Sequence, residues 1–304
     1  MNGPVSILIL TMNEERNIGA CLESIAGWAD DVVVVDSGST DRTLAICADR
    51  GVKTIFHPYV DHRSQMKWSM DAVPWKHDWL LLLDADHIVT PELTRDIDAM
   101  LAHDDGSTHA YYNPHKQYFR NQYVRGLKAD YLQLLRRSCA RMDESELVDF
   151  RFVVDGPIGR MRGAIIESNQ NELDIDFWID KHQKFARRMA MEEILRAEGR
   201  LAWSGGLTPR LFGNPDERMI WLKNVWYQMP LYVRPMLFFL YRYLLRLGCL
   251  DGWNGLVYHS LQTFWFRLLV DVHIAEYRRR LRNHELSVDE LFTVAVHGRA
   301  RAAS

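Results

Sequence analysis

Asp31-Val32-Val33-Val34-Val35-Asp36-Ser37-Gly38-Ser39-Thr40-Asp41 runs from a β-branched stretch straight into small and acidic residues. Four consecutive valines favour a strand buried on both faces. Ser37-Gly38-Ser39 then turns the chain, and a helix is expected over residues 40–50, with Asp41 in its first turn and Gly51 closing it. Upstream, Val5-Ser6-Ile7-Leu8-Ile9-Leu10 is a short apolar run ending in Thr11-Met12-Asn13, and residues 14–26 carry Ile18, Cys21, Leu22 and Ile25 at helical spacing. Downstream, residues 52–56 form a third strand. Strand, helix, strand, helix, strand implies a parallel sheet with crossover helices. Trp79-Leu80-Leu81-Leu82-Leu83 is a later strand that leads into Asp84-Ala85-Asp86. In such sheets ligands collect at the carboxyl ends of strands, where Thr11, Asn13, Asp36, Ser37, Asp84 and Asp86 all fall.

The remaining chain reads differently. Residues 107–166 are mixed, with short strands around Ala110-Tyr111-Tyr112, residues 132–135 and residues 150–154. A helix over residues 177–198 carries the basic stretch Lys181-His182-Gln183-Lys184 and Arg187-Arg188. A break between Gly205 and Pro215 separates it from aromatic-rich helices, so the expected division is 1–200 for the α/β domain and 201–304 for a helical extension. Residues 219–270 are dense in aromatic residues, leucine and arginine. Lys223, Arg234, Arg242, Arg246, Asp251 and Arg267 interrupt every window of the roughly 20 apolar residues that a span needs. Two readings stay open: a helix lying in a membrane interface with snorkelling cations, or an aromatic helical core.

Composition adds limits. A formal net charge of -3 over 304 residues provides no global field to recruit nucleic acid. The four cysteines, Cys21, Cys47, Cys139 and Cys249, show no metal-ligand spacing, which fits free thiols in a reducing cytosol. The amino terminus enters its first strand with no basic stretch or cleavage site, so no signal peptide is expected.

Three constellations can carry chemistry. Asp84 and Asp86 would repel each other at the end of a buried strand unless a cation or bridging ligand neutralised them. A hard divalent ion such as Mg2+ or Mn2+ takes oxygen ligands and keeps positions open for phosphate, so the pair suits a metal that bridges a diphosphate. The other reading is a strand-end turn, with Asp86 near the start of a helix beginning at Thr90-Pro91-Glu92. Asp36 offers a carboxylate to a base or ribose, with small residues after it that let a ligand approach the backbone. Ser39 or Thr40 capping a helix explains part of that stretch, but not a buried Asp36. Thr11-Met12-Asn13-Glu14-Glu15 either contributes to the same ligand site or simply begins the first helix.

Thr11-Met12-Asn13-Glu14-Glu15-Arg16-Asn17-Ile18, Val35-Asp36-Ser37-Gly38-Ser39-Thr40-Asp41-Arg42-Thr43 and Leu83-Asp84-Ala85-Asp86 together resemble the family-2 glycosyltransferases of the GT-A fold. Order, spacing and strand context agree over residues 4–92. Gln65-Met66-Lys67-Trp68, Trp178-Ile179-Asp180-Lys181-His182 and Leu247-Gly248-Cys249-Leu250-Asp251-Gly252 are similar to the bacterial branch that builds lipopolysaccharide cores and exopolysaccharides. The resemblance implies an α/β, GT-A (Rossmann-like) fold, with a mixed, mostly parallel sheet flanked by helices and a C-terminal helical membrane-interface extension. It also implies an inverting, metal-dependent enzyme that uses a nucleotide diphosphate sugar. Thr11, Asn13, Glu14, Asp36, Ser37 and Gln65 would then serve the donor. Asp84 would lie near the donor ribose or sugar, and Asp86, with Asp84, would hold the Mg2+ or Mn2+.

This chain departs from that pattern in two places. Relatives carry Asp-Glu-His or His-Glu where the catalytic base is expected, whereas here Val148-Asp149-Phe150-Arg151 puts Phe150 at the glutamate position. Asp149 is therefore the expected base, with Asp155 and Glu167 in reserve. His87, rather than an acidic residue, follows the metal motif and can itself touch a phosphate. Arg136, Arg137, Lys181 and His182 are cationic candidates for acceptor or donor phosphate, against a solvated basic face or, for His182, helix packing. The expected acceptor is a glycan or a polyprenyl- or other lipid-linked sugar at the inner face of the cytoplasmic membrane. The alternatives are a nucleotidyltransferase, which would normally open with a glycine-rich basic loop where this chain has Glu14 and Glu15, and a non-catalytic membrane adaptor, which the Phe150 departure favours.

Overall fold

The computed structural model describes residues 3–126, 129–143, 147, 148, 151–202 and 206–297. Along the chain lie β1 (Gly3–Thr11), α1 (Ile18–Ser24), β2 (Ala29–Asp36), α2 (Thr43–Asp49), β3 (Lys53–Phe56), α3 (His62–Ala72), β4 (Trp79–Asp84), β5 (His87–Val89), α4 (Pro91–Ala102), β6 (Ala110–Phe119), β7 (Gln122–Tyr123) and β8 (Ala129–Arg136). There follow β9 (Ala140–Met142), β10 (Phe152–Val154), β11 (Ile158–Arg160), β12 (Ile165–Glu167), α5 (Ile175–Ala197), α6 (Pro215–Gln228), α7 (Val233–Leu240), α8 (Gly252–His259), α9 (Phe266–Arg282) and α10 (Val288–His297).

Two compact units result. One comprises Met1–Tyr123, Lys128–Met142 and Val154–Asp174, and the other Val124–Leu127, Asp143–Val153 and Ile175–Ser304. The boundary expected at residue 200 falls at Asp174, because α5 packs with the C-terminal helices. Trp178, Ala186, Ala190 and Ile194 share a core with Phe266, Val270 and Ile274.

The first unit is built on a sheet of order β3-β2-β1-β4-β8-β6-β12-β5, with β11 and β7 added to β6. The strands β3, β2, β1 and β4 are parallel, as the crossover pattern requires. Past β4 the sheet becomes mixed: β8 is antiparallel to β4 and β6, β12 runs parallel to β6, and β5 is antiparallel to β12. Val5, Ile7 and Ile9 of β1 alternate with Leu81 and Leu83 of β4 onto one face, where Ile18, Cys21, Leu22, Leu93 and Ile97 of α1 and α4 cover them. α1 begins later than its apolar spacing suggests, because Asn17 N–H and Ile18 N–H both donate to Glu14 O and spend the preceding residues in a turn.

Register fixes what meets at the strand ends. β1 is central, with Thr11 opposite Asp36 and Leu10 opposite Asp84. The three carboxyl ends therefore lie side by side. Leu81 is fully buried between β1 and β8. Leu81→Ala should cost about 2–5 kcal/mol, read as a lowered denaturation midpoint with an unchanged slope.

Candidate functional site

The loops that follow β1 and β2 are laced together. Asp36, 2% exposed, accepts from Thr11 Oγ1 and Ser39 Oγ on one oxygen, and from Gly38 N–H and Ser39 N–H (2.8 Å each) on the other. Those four bonds match the capacity of a carboxylate. Asp36 thus organises the turn, and its backbone is tied as well, since its O accepts from His57 N–H. Ser39 and Thr40 do not cap α2, whose first residue is Thr43. Instead Ser39 Oγ accepts from Asn13 N–H, and Thr40 N–H donates to Asn13 Oδ1, both at 2.8 Å. Asn13 can sit there because it adopts φ +58, a left-handed conformation that asparagine tolerates better than most residues. Glu14 N–H donates to Thr43 Oγ1 and Glu15 N–H to Asp41 Oδ2, while Arg42 N–H donates back to Glu15 Oε2.

Asp84 and Asp86 frame an imidazole. His87 Nδ1 accepts from Asp84 N–H at 3.0 Å, which leaves Nε2 facing 3.9 Å from Asp84 Oδ2 and 3.9 Å from Asp86 Oδ1. His62 Nε2 stands 3.9 Å from the other Asp84 oxygen. Asp86 is not the cap of α4: Thr90 is, accepting from Leu93 N–H, and β5 intervenes. Beneath them the Cys21 thiol donates to Asp84 O. Burial, reinforced by the charges of Asp86 and Asp84, pushes that thiol far up, so it stays protonated.

A segment that sequence reasoning did not single out completes the floor. Asn169 Nδ2 donates to Asp86 Oδ2 at 2.9 Å, and Ser168 N–H donates to Asp86 O. Asn17 Nδ2 donates to Asn169 Oδ1 and to Glu14 Oε2, while Asn17 Oδ1 accepts from Gln170 N–H. The signal was present: Ser168-Asn169-Gln170-Asn171 is a polar run at the end of β12, the same strand-end pattern that marked Asp36 and Asp84.

Other expected site residues lie elsewhere. Gln65, 1% exposed, is spent on His57: its Nε2 donates to His57 O and its Oε1 faces His57 Nδ1 at 2.6 Å. Arg136 pairs in register with Trp79, at the opposite end of β4 from Asp84. There it bonds Asp104 and stacks on the Trp79 ring at 4.6 Å, so the structure does not bring it to the site. Arg137 follows it directly. Asp155 also belongs to that opposite end, where its O contacts His109 beside the start of β6. Glu167 does reach the site, directly opposite His87. Lys181 and His182 belong to the helical unit. There His182 stacks on Trp178, with ring centroids 3.6 Å apart, and meets the Phe266 ring edge-on, the geometry of a packing residue. Asp149 and Phe150 lie outside the described residues.

The residues present fit a divalent cation. Ligand atoms of Asp84, Asp86 and His87 all lie within 4.8 Å of one another, and the donor set of two carboxylates and one imidazole accepts Mg2+ or Mn2+.

A parallel β3-β2-β1-β4 sheet with acidic strand ends, continued by mixed strands, is an α/β fold of GT-A type. Residues 6–165 match the pattern of glycosyl transferase family 2, and the chain belongs to that family. It is 27% identical over 202 residues to the lipopolysaccharide core biosynthesis glycosyltransferase LpsC of Rhizobium meliloti (strain 1021), covering 63% of this chain and 72% of that protein. Over 98 residues it is 35% identical to an uncharacterized glycosyltransferase of Rickettsia bellii (strain RML369-C), covering 32% of this chain and 33% of the relative. The matched stretch thus spans about a third of the length of that relative. A crystal structure of glucosyl-3-phosphoglycerate synthase from Mycobacterium tuberculosis in complex with Mn2+, uridine diphosphate and phosphoglyceric acid overlaps 39% of this chain and 44% of its own. The identity there is 22% and the TM-score 0.31.

The loop lacing depends on ionised Asp41. Burial raises its pKa, but bonds from the Thr43 hydroxyl, Thr43 N–H and Glu15 N–H outweigh that and hold it below the usual carboxylate range. A depressed carboxyl stabilises the fold above its unfolded value of roughly 3.9, and that stabilisation fades as pH falls through the folded value. Asp41→Asn should therefore lower stability by roughly 1–2 kcal/mol at pH 7. In denaturation curves at stepped pH, the difference from the parent should shrink only in acid.

Proposed function

We propose that this chain transfers a sugar, with inversion, from a nucleotide diphosphate sugar to a glycan or lipid-linked acceptor in cell-surface polysaccharide biosynthesis. The observation that carries this reading is the convergence of Thr11, Asp36 and Asp84 on neighbouring strand ends, with Asp86 two residues further on. Membership of family 2 and the similarity to the LpsC protein support it.

Asn13, Glu14 and Ser37 would face the nucleoside, in a loop that Asp36, Thr11 and Gln65 hold in shape. Asp86 and Asp84 would hold Mg2+ or Mn2+, which supplies positive charge against the departing diphosphate. Asp149 would take the proton from the acceptor hydroxyl as that oxygen attacks the anomeric carbon from the face opposite the leaving group. Of the reserve carboxylates, Asp155 lies at the far end of the sheet and Glu167 faces histidines, which favours Asp149. Lys181 would meet a phosphate of the acceptor or the donor.

A position on the inner face of the cytoplasmic membrane is supported by the helical unit. Between residues 232 and 253, Tyr232, Val233, Met236, Leu237, Leu240, Tyr241, Leu244, Leu245, Leu247, Leu250 and Trp253 are all exposed, Leu245 at 76% and Trp253 at 82%. The charges of the wider segment, residues 219–270, are mostly directed inward rather than snorkelling. Arg234 is 0% exposed and bonds both oxygens of Glu193 at 3.0 Å and Asp271 at 2.8 Å. Lys223 bonds Glu192, Arg242 bonds Gly126 O, and Asp251 bonds Arg125. Among the described residues no helix is long and apolar enough to cross a membrane, so contact would be at the interface.

Asp86→Ala should lower cation-dependent donor turnover roughly a hundredfold or more while thermal unfolding shows an intact fold. Asp149→Asn should keep donor binding and lose transfer; undiminished transfer would assign the base elsewhere, with Glu167 next. Pyrophosphate release from a sugar phosphate and a nucleoside triphosphate would instead mark a nucleotidyltransferase. In vesicle flotation the chain should rise with lipid, and Leu245→Glu with Trp253→Glu should leave it at the bottom.

A further inference from the structure

We propose that His87, His115 and Glu167 form a site for a borderline transition-metal cation such as Zn2+, adjoining the carboxylate pair Asp84 and Asp86 and drawing on His87, which also borders that pair. The three residues come from adjacent strands. Glu167 of β12 pairs with His87 of β5, and His115 of β6 pairs with Ile165, two residues from Glu167. Residues two apart share a face, so all three side chains project from the same side of the sheet. Their ligand atoms lie within 4.8 Å of one another. Ligands about 2.1 Å from a tetrahedral ion stand roughly 3.4 Å apart, so a modest inward shift closes the site. Two imidazoles and one carboxylate are a recurrent zinc set, and nitrogen ligands select against Mg2+.

The state of His115 points to a ligand. Its side chain is 6% exposed. Gln133 Oε1 faces Nε2, and with the ring proton on that nitrogen Nδ1 is left as a lone pair. Among the described residues that buried Nδ1 has no hydrogen-bond partner, and Glu167 Oε2, at 3.9 Å, is beyond bonding distance. A buried acceptor left bare is costly, whereas a histidine whose second nitrogen is held by a carbonyl is the usual form of a metal ligand. His87 is prepared in the same way: Asp84 N–H occupies Nδ1, and its 6% exposed ring offers Nε2. The two rings meet edge-on, with centroids 5.1 Å apart. Asn113, fully buried on the same face of β6, keeps both amide atoms without partners among the described residues, so a polar guest there would find further contacts.

The test needs no donor or acceptor, so it is independent of sugar transfer. The full chain, loaded with Zn2+ and dialysed against zinc-free buffer containing excess Mg2+, should retain one Zn2+ per chain. His115→Ala and Glu167→Gln should each lower Zn2+ affinity at least tenfold. Gln133→Leu should weaken it roughly tenfold through the lost orienting bond, and Asp84→Asn with Asp86→Asn should leave retention in place. Thermal unfolding without metal checks that each variant is folded, and Glu167→Gln, nearly isosteric, decides the matter if His115→Ala is not. Failure of the parent chain to retain Zn2+ overturns the site. So does retention that His115→Ala and Glu167→Gln leave untouched, or that the aspartate pair abolishes.

Discussion

Asp36 has both carboxylate oxygens fully engaged within the protein, and the geometry at the carboxyl ends of β1 and β2 depends on that. Four donors surround it, from the end of β1 and from the turn after β2. A carboxylate at 2% exposure would be intolerable without them. With them it becomes a rigid centre that fixes Ser39, and Ser39 and Thr40 in turn fix Asn13. The positions of the first two loops thus follow from one charge that the fold cannot leave unpaired.

The parallel half of the sheet was legible because each of its strands is a short apolar run closed by a polar residue. Valines 33–35 and leucines 80–83 sit where the sheet is covered on both sides, and period-2 alternation is not needed to find such strands. The mixed half was harder. β5, β11 and β12 are three residues each, too short for any pattern to emerge; β11 and β12 form against β6, and β5 against β12. The candidate site was legible in its acidic residues, in Asn13 and in His87, and obscure in Asn169 and His115. Asp84 and Asp86 stand out beside leucines, whereas Asn169 and His115 acquire meaning only when the topology places β12 between β6 and β5. Arg136 misled because cationic type was visible and strand position was not: its register with Trp79 sends it to the wrong end of β4.

In the helical unit, Arg234 shows how ionic and apolar demands are reconciled. Its guanidinium is fully buried between Glu193 and Asp271, and Asp271 also receives Tyr232 N–H. Burial raises the pKa of Glu193 even against the pull of the arginine. Such a pair costs several kcal/mol when one partner is removed, because the other charge is stranded. It anchors the start of α7 to α5 and α9 without using the outer surface.

That inward turn of the cations has a consequence for how the segment reads to any method that averages along the chain. Hydropathy windows count Arg234, Arg242 and Asp251 as though they faced outward, whereas the outward residues are leucines, tyrosines and a tryptophan. The skin of this segment is oilier than its mean composition, so a lipid would meet a greasier patch than any sliding average reports.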